Sequence, residues 1–158
     1  MAVNWKTRLI HSTWNHDDVP YTYGTYGTPT TLELAARIAE LGHGYRCFIT
    51  PGGLSALVVV YLSCLASGDH VLVPQNVYGP SRAFADQVLR RYAVEVEYYP
   101  PLNASKIASQ IRSNTRLIWC ESLGSITMEI PDVPAIVEAA HQRDVLVAPG
   151  TLSNTWKG

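Results

Sequence analysis

Apolar and polar positions along this chain follow a helical period in some segments and form short, continuous apolar runs in others. The first helix is predicted to begin at Thr30, which has capping-box spacing to Glu33. Gly42 and Gly44 are expected to end it, because glycine is common just after a helix. The apolar residues that this helix would place on one face are Leu34, Ile38 and Leu41.

Beyond that helix, short apolar runs alternate with longer helical ones. This alternation implies crossover connections and an α/β fold, a mostly parallel sheet with helices on both faces. The run VLVA at Val145–Ala148 is typical of a strand buried on both faces. The predicted strands are Tyr45–Ile49, His70–Val73, Val94–Tyr99, Arg116–Cys120 and Val145–Ala148; the predicted helices are Leu54–Ala66, Ser81–Arg91, Ala104–Ile111 and Val133–Gln142.

Composition and charge narrow the protein's class. The chain has 158 residues, of which 47% are hydrophobic and 16% charged, so a globular domain with a sizeable core is expected. We predict an extended N-terminal arm over residues 1–31 and a single α/β domain over residues 32–158. The net charge of −1 argues against nucleic acid or an anionic membrane as the main partner. The apolar run Leu54–Ala66 is too short to span a bilayer and is expected to be a buried helix.

The three cysteines, Cys47, Cys64 and Cys120, are widely spaced and form no C-x-x-C pair. Free buried thiols are therefore expected rather than disulfides or zinc ligands. Free thiols favour a reducing compartment, which we take to be the cytoplasm.

The segment Tyr45–Ser67 places Pro51-Gly52-Gly53 between a predicted strand and a long apolar helix. The first amides of a helix lack intrahelical partners and carry the positive end of its dipole, so a phosphate can bind there. Glycines allow a ligand to approach the backbone closely. A plain tight turn before a core helix is the alternative, since a glycine-rich turn alone is a weak motif.

In parallel sheets ligands bind at the carboxyl ends of the strands, which directs attention to four loops. In one of them Tyr78 can cover a flat aromatic ligand or can pack on its own helix. In another, the Glu121 carboxylate can bind substrate or accept hydrogen bonds from backbone amides. Asp132 is expected to cap the helix that follows it. The four loops are Thr50–Gly53, Pro74–Pro80, Glu121–Pro131 and Pro149–Trp156.

Taken together, these loops resemble the Cys/Met-metabolism family of pyridoxal-phosphate enzymes, and within it the cystathionine β-lyase branch. Five stretches in family order over nearly the whole chain are highly specific, although each alone is weak. The GSITMEI run with DVPAI, and the tryptophan of NTW, point to that branch. The matching stretches are YGTYGTPT (Tyr23–Thr30), FITPGGLSAL (Phe48–Leu57), SGDHVLVPQNVYGPSRAF (Ser67–Phe84), NTRLIWCESLGSITMEIPDVPAI (Asn114–Ile136) and NTW (Asn154–Trp156).

The resemblance implies a fold, a cofactor and roles for individual residues. The fold would be part of the large domain of fold type I, the aspartate aminotransferase-like class, and the cofactor would be pyridoxal 5′-phosphate. Gly53 and Leu54 match residues whose amides hold the cofactor phosphate, and Tyr78 matches the tyrosine that stacks on the pyridine ring. Tyr23 matches a phosphate-contacting tyrosine that reaches into a neighbouring subunit, which implies a homo-oligomer. The implied reaction is α,β-elimination, which splits cystathionine into homocysteine, pyruvate and ammonia.

Three departures from the family pattern put that activity in doubt for this chain alone. Thr25 replaces an arginine, which removes a charge-assisted phosphate contact of about 1.5–3 kcal/mol. Ser153 occupies the place of an aspartate that keeps the pyridine nitrogen protonated, and Pro149-Gly150-Thr151 is expected to be an insertion before it. The lysine that the family links to the cofactor lies in a segment with no counterpart here. The lysines of this chain are Lys6, Lys106 and Lys157.

Two functions remain in view from the sequence. One is a cystathionine β-lyase-like enzyme acting on a sulfur-containing amino acid, with its missing lysine supplied by another chain or segment. The other is a non-catalytic truncated homologue that binds phosphate ligands weakly or joins a longer lyase subunit, since an open sheet edge favours association.

Overall fold

The computed structural model describes residues 24–150, apart from the side chains of Tyr26 and Ser105. The residues divide into two compact units, one ending at Ile49 and the other beginning at Thr50. The predicted boundary between an arm and a domain at residue 31 stays a prediction, because most of the arm lies outside the described residues.

In the first unit a short 3₁₀ turn, Gly24–Tyr26, precedes helix α1, Pro29–Leu41. The N-cap is Thr28, whose hydroxyl accepts the Thr31 N–H, while the Thr28 N–H donates to the Thr31 hydroxyl at 2.8 Å. The predicted capping box of Thr30 and Glu33 is therefore wrong by two residues. Pro29 explains the difference, because proline fits the first helical position, where no N–H is needed. Gly42 ends the helix as predicted.

The segment Tyr45–Ile49 is not a strand, contrary to the prediction. A strand needs a hydrogen-bonded neighbour, and none of the described strands pairs with this segment. Its large apolar side chains are correspondingly open, with Tyr45 91% and Phe48 80% exposed.

The second unit contains four strands and four helical segments, close to the predicted series. The third helical segment runs on past its α-helical start, first as a π-helical turn over Ala85–Leu89 and then as a 3₁₀ turn over Arg90–Tyr92. In chain order the elements are α2 (Gly53–Cys64), β1 (His70–Pro74), α3 (Gly79–Phe84), β2 (Glu95–Tyr99), α4 (Ala104–Gln110), β3 (Thr115–Glu121), α5 (Val133–His141) and β4 (Leu146–Gly150).

The four strands form one parallel sheet in the order β2-β1-β3-β4, which confirms the predicted α/β class. The crossovers β1–α3–β2 and β2–α4–β3 run in opposite directions along the sheet. Because such crossovers are right-handed, they place α3 and α4 on opposite faces. Contacts of α2 with α3, and of α4 with α5, complete the two helical layers.

The last strand is longer than predicted. Pro149 and Gly150 pair with Cys120 and Glu121 as part of β4, so they are not an insertion after the strand. Proline is compatible with this position, because β4 is an edge strand among the described residues. Gly150 is required for packing, since a Cβ there would lie 2.7 Å from the Trp119 ring.

The core lies between the sheet and the helices, and one face of α2 packs into it. Leu57 and Tyr61 are buried, and the Tyr61 ring packs at 5.3 Å from that of Trp119. Val59 and Leu62 are 52% and 57% exposed, so the expectation of a fully buried helix is wrong for the described residues. An apolar helix buries only the faces that meet another layer. None of the helices among residues 24–150 has the length and apolar character that crossing a bilayer requires.

Candidate cofactor site

The strand order reverses direction between β1 and β3. The chain leaves β1 towards β2 on one side, whereas it leaves β3 towards β4 on the other. The loops that follow these two neighbouring strands lie at the carboxyl ends of the strands where the strand order reverses, which is the usual ligand position in such sheets. The loop after β1 carries Asn76 and Tyr78, and the β3 strand ends in Glu121.

Tyr78 immediately precedes α3 and is 48% exposed. Its backbone N–H donates to Glu121 Oε2 at 2.9 Å. The exposed part of the ring leaves it available to cover a flat aromatic ligand, the first of the two roles that the sequence allowed. Stacking of this kind contributes about 0.5–1.5 kcal/mol beyond the buried area.

Glu121 is a buried carboxylate, 7% exposed, at the end of β3. It accepts hydrogen bonds from the Tyr78 N–H and, at 3.4 Å, from the indole N–H of Trp119. Burial raises the pKa of the Glu121 carboxyl, while these N–H donors act in the opposite direction. Of the two roles that the sequence allowed for Glu121, the structure shows the acceptance of a hydrogen bond from a backbone amide. That amide lies 43 residues away in the chain.

Asn76 fastens the loop after β1 to the loop after β3. Its side-chain amide donates to Glu129 Oε2 at 2.8 Å and to the Thr127 hydroxyl at 3.2 Å. Its backbone carbonyl accepts the Ser125 N–H at 3.0 Å. Gly124 makes this approach possible, because a Cβ at that position would lie 2.0 Å from Asn76 Nδ2. The two loops therefore form one connected surface.

The start of α2 offers a second feature of a ligand site. Gly52 is its N-cap and supplies no side-chain hydrogen bond, so the amides of the first turn are uncapped. A Cβ on Gly52 or Gly53 would have no atom within 4 Å, which leaves space beside the backbone. Because α2 ends only a short turn before β1 begins, its first turn lies towards the carboxyl ends of the strands. An anion can approach these amides directly.

The structure thus places three of the five predicted site residues, Gly53, Leu54 and Tyr78, in one unit. Tyr23 and Ser153 lie outside the described residues, and their predicted roles stay predictions. Thr25, where the family pattern has an arginine, is exposed in the other unit.

Sequence reasoning singled out the loops after β1 and β3 but missed the residues that connect them. Asn76 and Glu129 are 53 residues apart in the sequence, and no local sequence pattern predicts their contact. Gly124 carried a possible signal, because a glycine between two predicted site loops suggests a close approach of two backbones. Asp132 caps α5 as predicted and accepts the Ala135 N–H at 3.1 Å.

Comparison with known proteins identifies the ligand chemistry of this fold. A family model described as Cys/Met metabolism PLP-dependent enzyme matches residues 4–157. A putative cystathionine β-lyase of Rhizobium johnstonii is 45% identical over 136 residues, which cover 86% of this chain and 34% of that protein. The cystathionine β-lyase MetC of Escherichia coli is 36% identical over 149 residues, covering 92% of this chain and 37% of that protein.

This chain spans about a third of the length of the curated relatives it matches. A solved structure, that of MetB from Corynebacterium glutamicum, superposes with a TM-score of 0.79 at 23% identity. The superposition covers 83% of this chain and 34% of the MetB chain, and at this identity the similarity shows the fold alone.

The described residues fit pyridoxal phosphate, the cofactor of the matched family. The uncapped, open first turn of α2 suits the phosphate, and the half-exposed ring of Tyr78 suits a flat pyridine ring. The position that the family pattern assigns to the ring nitrogen, Ser153, is not among the described residues. These features of α2 and Tyr78 are compatible with the cofactor, while the assignment of Gly53, Leu54 and Tyr78 to its phosphate and ring stays a prediction.

Proposed function

Since this chain belongs to the Cys/Met-metabolism family of pyridoxal-phosphate-dependent enzymes, we propose that it forms the cofactor-holding part of a carbon–sulfur lyase of the cystathionine β-lyase type. The observation that carries the proposal is the pair of loops at the carboxyl ends of β1 and β3, where Glu121 accepts the backbone N–H of a half-exposed Tyr78. The uncapped start of α2 lies in the same unit.

When bound, pyridoxal phosphate supplies an electron sink for chemistry at the α-carbon of an amino acid. The residues of this chain bind and orient it. Amides of Gly53 and Leu54 would hold the phosphate through the dipole of α2, and the Tyr78 ring would cover one face of the pyridine and exclude water from it. Ser153 would lie at the pyridine nitrogen, where it can donate or accept a hydrogen bond but cannot hold a proton by charge.

The proposed substrate is a sulfur-containing amino acid of the cystathionine type, cleaved by α,β-elimination. The names of the two relatives and the GSITMEI sequence after β3 support this choice. We further propose that residues 1–31 form an arm that carries Tyr23 into a neighbouring copy, so that the active form is a homo-oligomer. Cys47, Cys64 and Cys120 are free thiols, which supports a cytoplasmic location.

A non-catalytic role is the second candidate. The sequence changes at Thr25 and Ser153 favour it, because both remove charged groups that the family pattern places around the cofactor. The half-exposed edge strand β4, which carries no charged residue, suits association with a longer lyase subunit.

Titration of the chain with pyridoxal phosphate tests the cofactor role. We expect saturable quenching of tryptophan fluorescence and an induced circular dichroism band of the cofactor. Tyr78→Ala should weaken binding about 5–10-fold, as the loss of one stacking contact implies. Tyr92→Ala is the matched control, because Tyr92 is an exposed tyrosine in the same helical segment, after the π-helical turn. Equal binding by the two variants contradicts the site.

The lyase activity can be tested with a chimera of the Rhizobium relative that carries residues 24–150 of this chain in place of its own matching segment. We expect the chimera to release pyruvate from cystathionine, measured with a coupled dehydrogenase assay. A folded chimera that binds pyridoxal phosphate and releases no pyruvate contradicts the proposed reaction and favours the non-catalytic role. Borohydride reduction of the isolated chain with pyridoxal phosphate should leave no lysine adduct.

A further inference from the structure

Glu121 joins two loops through a buried carboxylate that accepts a backbone N–H from a distant part of the chain. It lies at the end of β3, 7% exposed, and binds the backbone N–H of a residue in the loop after the neighbouring strand. That residue, Tyr78, directly precedes α3, so its N–H falls outside the hydrogen bonds of the helix. The bond therefore fixes the one backbone position from which the tyrosine ring is projected.

The loop after β1 is held beside Tyr78 by the buried side chain of Val77 and by the Tyr78 carbonyl, which accepts the Arg82 N–H, while Glu121 holds the Tyr78 N–H itself. It runs only from Gln75 to Tyr78 between β1 and α3, and Asn76 anchors its first half to the loop after β3. The ring itself is half exposed, so packing does not fix it as it fixes a core side chain. The height and tilt of the ring depend on the backbone that Glu121 holds.

The chemistry at this point requires a carboxylate rather than any polar group. Glu121 accepts from two donors at once, the Tyr78 N–H at 2.9 Å and the Trp119 indole N–H at 3.4 Å. A glutamine has only one acceptor oxygen and would turn its own amide hydrogens towards one of these donors. Burying a charged group carries a cost, which the two N–H donors at Glu121 offset in part.

We propose that Glu121 is a positioning residue that acts through Tyr78, setting the tyrosine ring at the height needed to cover the pyridine ring of the cofactor. The inference rests on the proposed function, because it concerns the same site. It adds a residue that reaches the cofactor only through another side chain.

The first experiment uses the chain without cofactor. In the wild-type protein the amide ¹H–¹⁵N signal of Tyr78 should move as the Glu121 carboxyl takes up its proton, and in Glu121→Gln this movement should disappear. Glu138→Gln is the matched control, since Glu138 is an exposed glutamate on α5. A Tyr78 amide that responds identically in Glu121→Gln and Glu138→Gln overturns the proposal.

The second experiment titrates the same variants with pyridoxal phosphate. Glu121→Gln should bind about 2–5-fold more weakly than Glu138→Gln, which is less than the loss expected for Tyr78→Ala because only the placement of the ring is disturbed. In a Tyr78→Ala background the Glu121→Gln change should then have no further effect on affinity, and the induced dichroism band should already be lost. An equal loss of affinity with and without the tyrosine ring overturns action through Tyr78 and indicates a general structural role.

The two experiments separate the failure of this inference from that of the proposed function. A wild-type chain that binds no pyridoxal phosphate overturns the proposed function and with it the role of Glu121 towards the cofactor, whatever the amide signal shows. Cofactor binding that is equal in Glu121→Gln and Glu138→Gln leaves the proposed function standing and overturns the positioning role alone.

Discussion

The amino and carboxyl ends of the β1–β3 strand pair both hold a buried ionisable group, yet the two ends are built differently. At the amino end, His70 begins β1, is fully buried, and lies 2.7 Å through Nδ1 from the hydroxyl of Thr115, the first residue of β3. At the carboxyl end, Glu121 ends β3 and binds the half-exposed loop that carries Tyr78.

Hydrogen-bond and ion-pair partners surround the buried group at the amino end, whereas the loops at the carboxyl end are exposed. Around His70, Arg112 forms ion pairs with Glu95 and Glu97 of β2, and its backbone N–H donates to Thr115 at 2.7 Å. Around Glu121, the loop after β3 instead points apolar side chains outwards, with Ile126 93% exposed. Hydrogen bonds at one end lock strands to each other, whereas at the other they hold loops in position. A ligand can be placed only at the second kind of end.

The largest expected effect is at the carboxyl end, where Gly124→Ala should destabilise the protein by about 1–3 kcal/mol. The new Cβ would lie 2.0 Å from Asn76 Nδ2 and would break the link between the two loops. At the amino end, Gly68→Ala should cost about 1–2 kcal/mol for a different reason, the φ of +88° at an otherwise open position. Urea unfolding measures both.

A double-mutant cycle sharpens this contrast. In an Asn76→Ala background the nearest clash partner is gone and a contact of 2.9 Å with Thr127 Oγ1 remains, so Gly124→Ala should cost clearly less than in the wild type, while the cost of Gly68→Ala should not change. A Gly124→Ala cost that is the same in both backgrounds would show that the two loops are not in contact through Asn76.

The next effect is an opposite response of the two ends to pH. Burial, and secondarily Arg112, lowers the pKa of His70 from 6.5, so the unfolded chain binds more protons and stability falls as pH drops below 6.5. Burial raises the pKa of Glu121 above 4.5, so its contribution is fully present below 4.5 and is lost as pH rises. Each proton changes the free energy of unfolding by at most about 1.4 kcal/mol per pH unit.

Because the two responses oppose each other between pH 4.5 and 6.5, single variants should separate them. His70→Gln should reduce the loss of stability on acidification from pH 7 to pH 5, and Glu121→Gln should increase it. His141→Gln, which changes an exposed histidine at the end of α5, is the control. Parallel pH profiles for the three variants would show that neither buried group is coupled to folding.

The sequence predicted the individual strands better than their order and pairing, and the reason is physical. Apolar runs and period-two alternation mark β1, β2 and β3, because each strand carries its own pattern. The order β2-β1-β3-β4 needs contacts between distant segments, and the strand expected at Tyr45–Ile49 failed because a strand depends on a partner.

Site residues show the same limit. Tyr78 and Gly53 were predicted because they lie in recognisable loops and match a family motif. The hydrogen bond between the Glu121 carboxylate and the Tyr78 N–H spans 43 residues, and the contact of Asn76 with Thr127 spans 51. Neither contact can therefore be recognised from a local sequence pattern. Knowing that both loops follow adjacent parallel strands would have brought these residues together before any contact was seen.

The smallest expected effect returns to the amino end. Arg112→Gln should cost about 0.5–1 kcal/mol, because the Arg112 side chain is half exposed and its ion pairs with Glu95 and Glu97 are screened by water. Removing its positive charge should also raise the pKa of His70 towards 6.5, so the loss of stability on acidification should still begin near pH 6.5 but should be smaller and level off at a higher pH.

Arg37→Gln provides the matched comparison, because Arg37 also pairs with two glutamates, Glu33 and Glu40, on the surface of α1. Both variants should be less stable than the wild type at low salt, and about 0.5 M salt should largely remove this difference, because salt screens exposed ion pairs. Only Arg112→Gln should move the acid limb of the pH profile. If both variants move it equally, the buried histidine does not sense the arginine beside it, and the amino end holds its strands by packing rather than by its charges.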